Sequence, residues 1–152
     1  MGIFDKLKGG KKNTVFEDEL MDTQSELIAL TLNMVGKAED KIFAYCSIEA
    51  KSQMINVFYE LDGKIKTLNE MGTVPSCAME LLRTGTHGLD KIKEVCAKYN
   101  YPTPTEIKMI YDVKTKKLNV AYQYKEICSA KTNIGAGEVF MNWVTDKKNE
   151  ST

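Results

Sequence analysis

The sequence predicts an α+β domain, an antiparallel sheet with helices packed on one face, in the order α-βββ-α-ββ-α. Two long stretches place apolar residues at three- and four-residue intervals, and five short ones alternate apolar with polar residues. The strands also follow one another as hairpins, with no strand–helix–strand repeat, which disfavours a parallel sheet. The 152-residue chain has the size of one domain, and 43% hydrophobic residues suffice for one sizeable core.

Residues 1–13 read as a flexible basic tail, because Gly9-Gly10-Lys11-Lys12-Asn13 suits neither helix nor strand. Thr14 with Glu17 fits a capping box. Phe16, Leu20, Leu27, Ile28, Thr31, Met34 and Val35 then keep helical spacing until Gly36, predicting a helix over 15–35. Ile42, Ala44, Cys46 and Ile48 alternate with Phe43, Tyr45 and Ser47; both faces are partly apolar, as a central strand requires. After a turn at Lys51-Ser52-Gln53, the residues Ile55, Val57, Tyr59 and Leu61 mark a second strand. Asp62-Gly63 is a hairpin dipeptide leading into a third strand, Lys64 to Asn69.

Pro75 opens the next helix, where its missing N–H is harmless. Its periodicity runs from Met79 to Tyr99, with a kink or split expected around Gly85 and Gly88 and a stop enforced by Pro102 and Pro104. Ile107 to Val113 and Leu118 to Tyr124 form the cleanest alternating pair, a hairpin turning at Lys114 to Lys116. Glu138 to Lys148 gathers Val139, Phe140, Trp143 and Val144 on one side of a last short helix. The domain thus spans 14–148, with 149–152 expected to be disordered.

Net charge is zero, 21 basic against 21 acidic residues, so the basic excess of a nucleic-acid binder is missing and no direct nucleic-acid contact is expected. The sequence shows no apolar run of membrane-spanning length and no signal-peptide pattern, which places the expected location in the cytoplasm. Scattered Cys46, Cys77, Cys96 and Cys128 read as reduced thiols. Charge is uneven along the chain, however. Residues 1–12 carry an excess of +3, so weak contact with an anionic membrane is an alternative to a solubilising tail. Residues 13–40 carry Glu17, Asp18, Glu19, Asp22, Glu26, Glu39 and Asp40 against Lys37, an excess of −6.

Chemistry is sparse. His87 is the single histidine, and His87-Gly88-Leu89-Asp90 imitates a base with its orienting carboxylate but is tied to no nucleophile. Histidine and cysteine lack metal-ligand spacing. Gly135-Ala136-Gly137 lacks the Lys-Ser/Thr of a phosphate loop. Asp112 and Glu126 lie at strand ends where they could face each other. Tyr111, Tyr122 and Tyr124 could stack on bases, but their alternation equally marks a core face. These readings predict no enzyme, no catalytic residue, no metal and no cofactor. The candidate functional surface is the acidic face of the first helix, where Asp18, Asp22 and Glu26 recur every four residues with Glu19 beside them, a patch for a basic partner. Trp143 is a candidate surface anchor. The competing explanations are that the acids favour the helix N-terminus and that Trp143 seals the core.

Over roughly residues 25–145 the chain resembles the YezG-like family of bacterial immunity (antitoxin) proteins. The resemblance rests on the helix leading into Lys41-Ile42-Phe43-Ala44-Tyr45, the hairpin and long helix that follow, Glu106 to Asp112 with Lys117-Leu118-Asn119-Val120-Ala121-Tyr122-Gln123-Tyr124, and Trp143 in the last helix. It implies a cytosolic protein that binds and neutralises a cognate secreted toxin, often a nuclease. The element order also resembles the small chaperones that escort secreted effectors. Such chaperones are typically acidic dimers, whereas this chain is neutral and a monomer is favoured. A small enzyme ranks third.

Overall fold

The computed structural model describes residues 11–35, 40–49, 53–72, 75–128 and 132–150. It contains helices α1 (Lys11–Val35), α2 (Pro75–Lys98) and α3 (Ala136–Glu150), and strands β1 (Lys41–Ser47), β2 (Met54–Leu61), β3 (Lys64–Thr67), β4 (Glu106–Asp112) and β5 (Lys117–Gln123). The α+β class and the order α-βββ-α-ββ-α are those the sequence predicts. The strands form one antiparallel sheet, β3-β2-β1-β4-β5.

Helix α1 is already formed at Lys11, the first described residue and four residues before the expected start, so Thr14 lies within the helix and is not its N-cap. Residues 11–13 therefore belong to the domain, while 1–10 lie outside the described residues. Phe16 explains the early turns: it is buried, with ring centroids 5.7 Å from Tyr99 and 4.3 Å from Tyr101, which docks this end onto the end of α2. The expected stop at Gly36 and most of the expected turn at 51–53 also fall outside the described residues.

Strand β3 ends at Thr67, short of Asn69, because Glu70 Oε1 reaches back and accepts from the Thr67 N–H at 3.0 Å. Asp62 and Gly63, with φ of 53° and 78°, both adopt the left-handed conformation that a tight hairpin of type I′ demands. Helix α2 closes in a Schellman motif. Asn100 sits at φ 60°, the Tyr101 N–H donates to the Cys96 carbonyl at 2.9 Å, and the Asn100 N–H donates to that of Ala97 at 3.2 Å. Helix α3 continues to Glu150, so residues 149 and 150 are helical, not disordered.

The helices do not all share one face. Ile42, Ala44, Cys46, Ile55, Val57, Tyr59, Ile107 and Met109 point to one side, where α1 and α2 cover them. Phe43, Tyr45 and Phe58 point to the other side and pack beneath α3 through Phe140, Trp143 and Val144. The expected one-sided sandwich is thus corrected to helices on both faces. The cause is the double apolar alternation of β1 and β2: leaving Phe43, Tyr45 and Phe58 in water would forfeit about 1.5–3 kcal/mol each.

Helix α2 remains continuous through its glycines. Both are needed for close approach. A Cβ on Gly85 would lie 2.5 Å from Ile55 Cγ2 in β2, and one on Gly88 would lie 2.5 Å from Leu27 Cδ2 in α1. The glycines that weaken α2 as an isolated helix let it dock against the sheet and its neighbour.

Candidate functional site

Helix α1 turns Phe16, Leu20, Thr23, Gln24, Leu27, Ile28 and Thr31 inward and leaves Asp18, Asp22 and Glu26 exposed, as the four-residue spacing predicts. Its first turn carries no acidic residue, so the N-terminal dipole does not account for these acids.

The four candidate acids divide into two kinds. Glu19 accepts from Lys98 Nζ at 3.1 Å and from the Tyr99 hydroxyl, and Glu26 Oε2 meets Lys91 Nζ at 3.3 Å. The Tyr99 hydrogen bond, then Lys98, holds the Glu19 carboxyl below its ordinary range, and the same contacts raise Lys98 and Tyr99. The helices run antiparallel, so acids seven residues apart on α1 meet lysines seven residues apart on α2. That matched spacing is the signal in the sequence that could have revealed the pairing. Glu19 and Glu26 therefore join α1 to α2, and the solvent-facing negative charge reduces to Asp18 and Asp22, which form no ion pair among the described residues. Asp22 borders a groove of about 350 Å³ that also contains Lys91, Glu94 and Lys98, a wall of mixed sign.

Trp143 is only 7% exposed. Its ring stands edge-on to Phe43 at 5.7 Å and to Phe58 at 5.0 Å, with Lys108 Nζ 5.2 Å from its centroid. Of the two readings open for Trp143, surface anchor and core seal, the structure shows the core residue, recruited by the aromatic side of β1 and β2.

A different surface carries exposed apolar side chains. Where α2 begins and α3 passes the β3 edge, Leu68, Leu81, Leu82, Phe140 and Met141 line a groove of about 440 Å³. Leu82 is 43% and Met141 48% exposed; Met79, one turn before Leu82, is 61% exposed. Sequence reasoning missed this surface because Met79 and Leu82 fit the helical apolar period and read as core.

The remaining candidates separate. His87 is exposed, and Asp90 Oδ1 is engaged by Gln53 Nε2 at 2.9 Å. Asp112 lies opposite Lys117 and Oδ1 accepts from the N–H groups of Lys114 and Thr115, at 3.0 and 3.1 Å. Those turn bonds hold its carboxyl low. Glu126 follows the far end of the same hairpin, so the two carboxylates do not face each other. Tyr111 and Tyr122 pack into the core beneath α1, and the Tyr122 hydroxyl accepts from Gln24 Nε2 at 2.8 Å. Burial pushes Tyr122 up to about 12. Only Tyr124 of the three tyrosines is exposed, so they form no stacking platform.

The densest polar chemistry is interior and was not foreseen, because its members lie far apart in sequence. The Tyr45 hydroxyl donates to Glu106 at 2.9 Å within the α3-side core. Glu49 accepts from the N–H groups of Ile127 and Cys128 at 2.9 and 2.8 Å, fastening the chain after β5. Burial, then the charge of Glu49, raises the Cys128 thiol, which keeps it protonated and a poor nucleophile. All four cysteines are free thiols. Among the described residues, no group of three or more His, Cys, Asp or Glu side chains could hold a metal ion, and no helix is long and apolar enough to cross a membrane.

No protein-family model matches the sequence, and comparison with the curated proteins likewise returns no match.

Proposed function

We propose that this protein binds a cognate bacterial toxin in the cytosol and neutralises it by protein–protein contact. The observation that carries this reading is the groove lined by Leu82 and Met141, with Met79 exposed one turn before Leu82 on α2. Long, adaptable apolar side chains concentrated at one open surface are suited to capturing another protein. The YezG-like layout supports the same reading. Asp18 and Asp22 supply a second element, a negative edge able to steer a basic toxin such as a nuclease.

Co-expression with the toxin domain of a genomic neighbour tests the proposal. The pair should co-purify and cells should survive, while Leu82→Glu/Met141→Glu should abolish both without lowering the melting temperature. A wild-type protein that neither associates nor protects refutes immunity. Binding confined to the N-terminal segment of the neighbour, with toxicity intact, would identify a secretion chaperone instead.

A further inference from the structure

Helix α1 has two flanks, and among the described residues only one of them meets another helix. On the α2 side, Glu19 and Glu26 pair with Lys98 and Lys91. On the opposite flank, Met21, Ser25, Ala29 and Leu32 follow one another at intervals of three and four residues and form one stripe. With Tyr111 and Leu118 of the sheet, they line an open groove of about 450 Å³. Met21 is 41% exposed, and Ser25 and Ala29 are exposed beside it. The stripe from Met21 to Leu32 is about 16 Å long at the helical rise per residue.

The groove has an acidic end and a basic end. Asp18 is exposed one turn before Met21. At the other end α1 leads towards β1, and the β4–β5 turn lies there: the Val113 N–H donates to the Asp40 carbonyl at 3.1 Å, and Lys114 Nζ is 3.6 Å from Asp40 Oδ1. Lys116 of that turn is exposed and lines the groove. Its neighbours already face acids, Lys114 at Asp40 and Lys117 opposite Asp112. Asp18 and Lys116 form no ion pair among the described residues.

We propose that this flank of α1 is the seam of a homodimer, with α1 of a second copy lying antiparallel along the groove. The occupant is a second copy because the two ends of the groove complement each other. A two-fold axis midway between Ser25 and Ala29 reverses the second helix, so the acidic end of each copy meets the basic end of the other. Asp18 then approaches Lys116 of the second copy, and the symmetry makes that pair twice. The same axis sets Met21 beside Leu32 of the second copy and Ser25 beside its Ala29. Small residues four apart let the two helix axes approach to about 8 Å, and the unbranched Met21 fills what space remains. A parallel arrangement would instead oppose Asp18 to itself. The sequence favoured a monomer because Asp18 and Lys116 lie far apart in the chain, and only the fold puts them at opposite ends of one groove.

The test uses the purified full chain alone and is independent of any toxin. Sedimentation across a concentration series should show twice the chain mass. Ser25→Arg/Ala29→Arg, at two exposed positions, should weaken association about tenfold or more by forcing the helices apart. Asp18→Lys and Lys116→Glu should each weaken it about tenfold, because each turns two attractive pairs into repulsive ones, and Asp18→Lys/Lys116→Glu should restore it. Should a variant misfold, the wild type reads the same contact through its methionines. Oxidation of Met21 by dilute peroxide should slow as concentration rises into the dimer range, while that of Met79, on α2, should not. A wild type that stays monomeric at every concentration overturns the proposal. So does a dimer indifferent to the arginines, a charge swap that fails to restore association, or Met21 protection that arises only on adding a different protein.

Discussion

Replacing Gly85 with alanine tests the account of how α2 meets the sheet. In an ordinary helix interior the change would stabilise by about 1 kcal/mol, since glycine carries the larger backbone entropy cost. Here the added Cβ would sit 2.5 Å from Ile55 Cγ2, with Ile55 Cδ1 at 3.3 Å and Cβ at 3.5 Å. Ile55 is fully buried, and its γ-methyl is fixed by a stiff β-branched χ1 on a strand paired with β1. Relief requires α2 or β2 to shift, and overpacking of this kind costs about 1–3 kcal/mol. The net expectation is a loss of about 1 kcal/mol, or about 2–4 °C in melting temperature for a chain of this length. Gly137→Ala is the control: it lies in α3 with nothing within 4 Å of its would-be Cβ, and it should gain about 0.4–1 kcal/mol. Gly88→Ala should fall between the two, because the atom it meets is the flexible end of Leu27. Urea unfolding followed by fluorescence of the single tryptophan, Trp143, measures all three. A cycle with Ile55→Ala adds a second reading. The cavity that this change opens accepts the new methyl, so the double variant should be less unstable than the sum of the singles by about 1 kcal/mol. If Gly85→Ala stabilises as much as Gly137→Ala, close approach is not the reason for glycine at this position.

The lowered Glu19 carboxyl makes the α1–α2 junction acid-sensitive. A group depressed in the folded state adds stability above its unfolded value, about 4.3, and loses that contribution as pH falls through the folded one. Thermal melts of wild type and Glu19→Gln should therefore differ most near pH 6 and converge towards pH 3; a difference that grows on acidification would contradict the assignment. Under the proposed toxin-binding role, Asp18→Lys/Asp22→Lys should slow association with the toxin at low salt, leave the melting temperature within about 1 °C, and lose its effect as salt rises. Stopped-flow kinetics unchanged at low salt would remove this helix from the interface. Under the same proposal, His87→Ala should leave protection against the toxin and the fold intact, so abolished protection with an unaltered melting curve would reopen the enzyme reading.

The sequence by itself determined the elements and their order, because those depend on neighbours a few residues apart. The alternation from Glu106 to Gln123 and the Asp62-Gly63 turn require only local geometry, and both stand where the pattern puts them. Periodicity also identified the solvent side of α1, leaving Asp18, Asp22 and Glu26 outward. It could not say which layer covers which, since β1 and β2 are apolar on both sides and a period-two pattern assigns no helix to either. Tertiary structure decided that α3 takes the face carrying Phe43, Tyr45 and Phe58, and with it that Trp143 is core rather than anchor. Long-range pairing likewise gave Glu19 and Glu26 their lysines, turning two of the four surface acids into a junction between helices. It also made Gly85 and Gly88 contact points, because what a glycine admits depends on Ile55 and Leu27, residues that only the packed fold brings within reach.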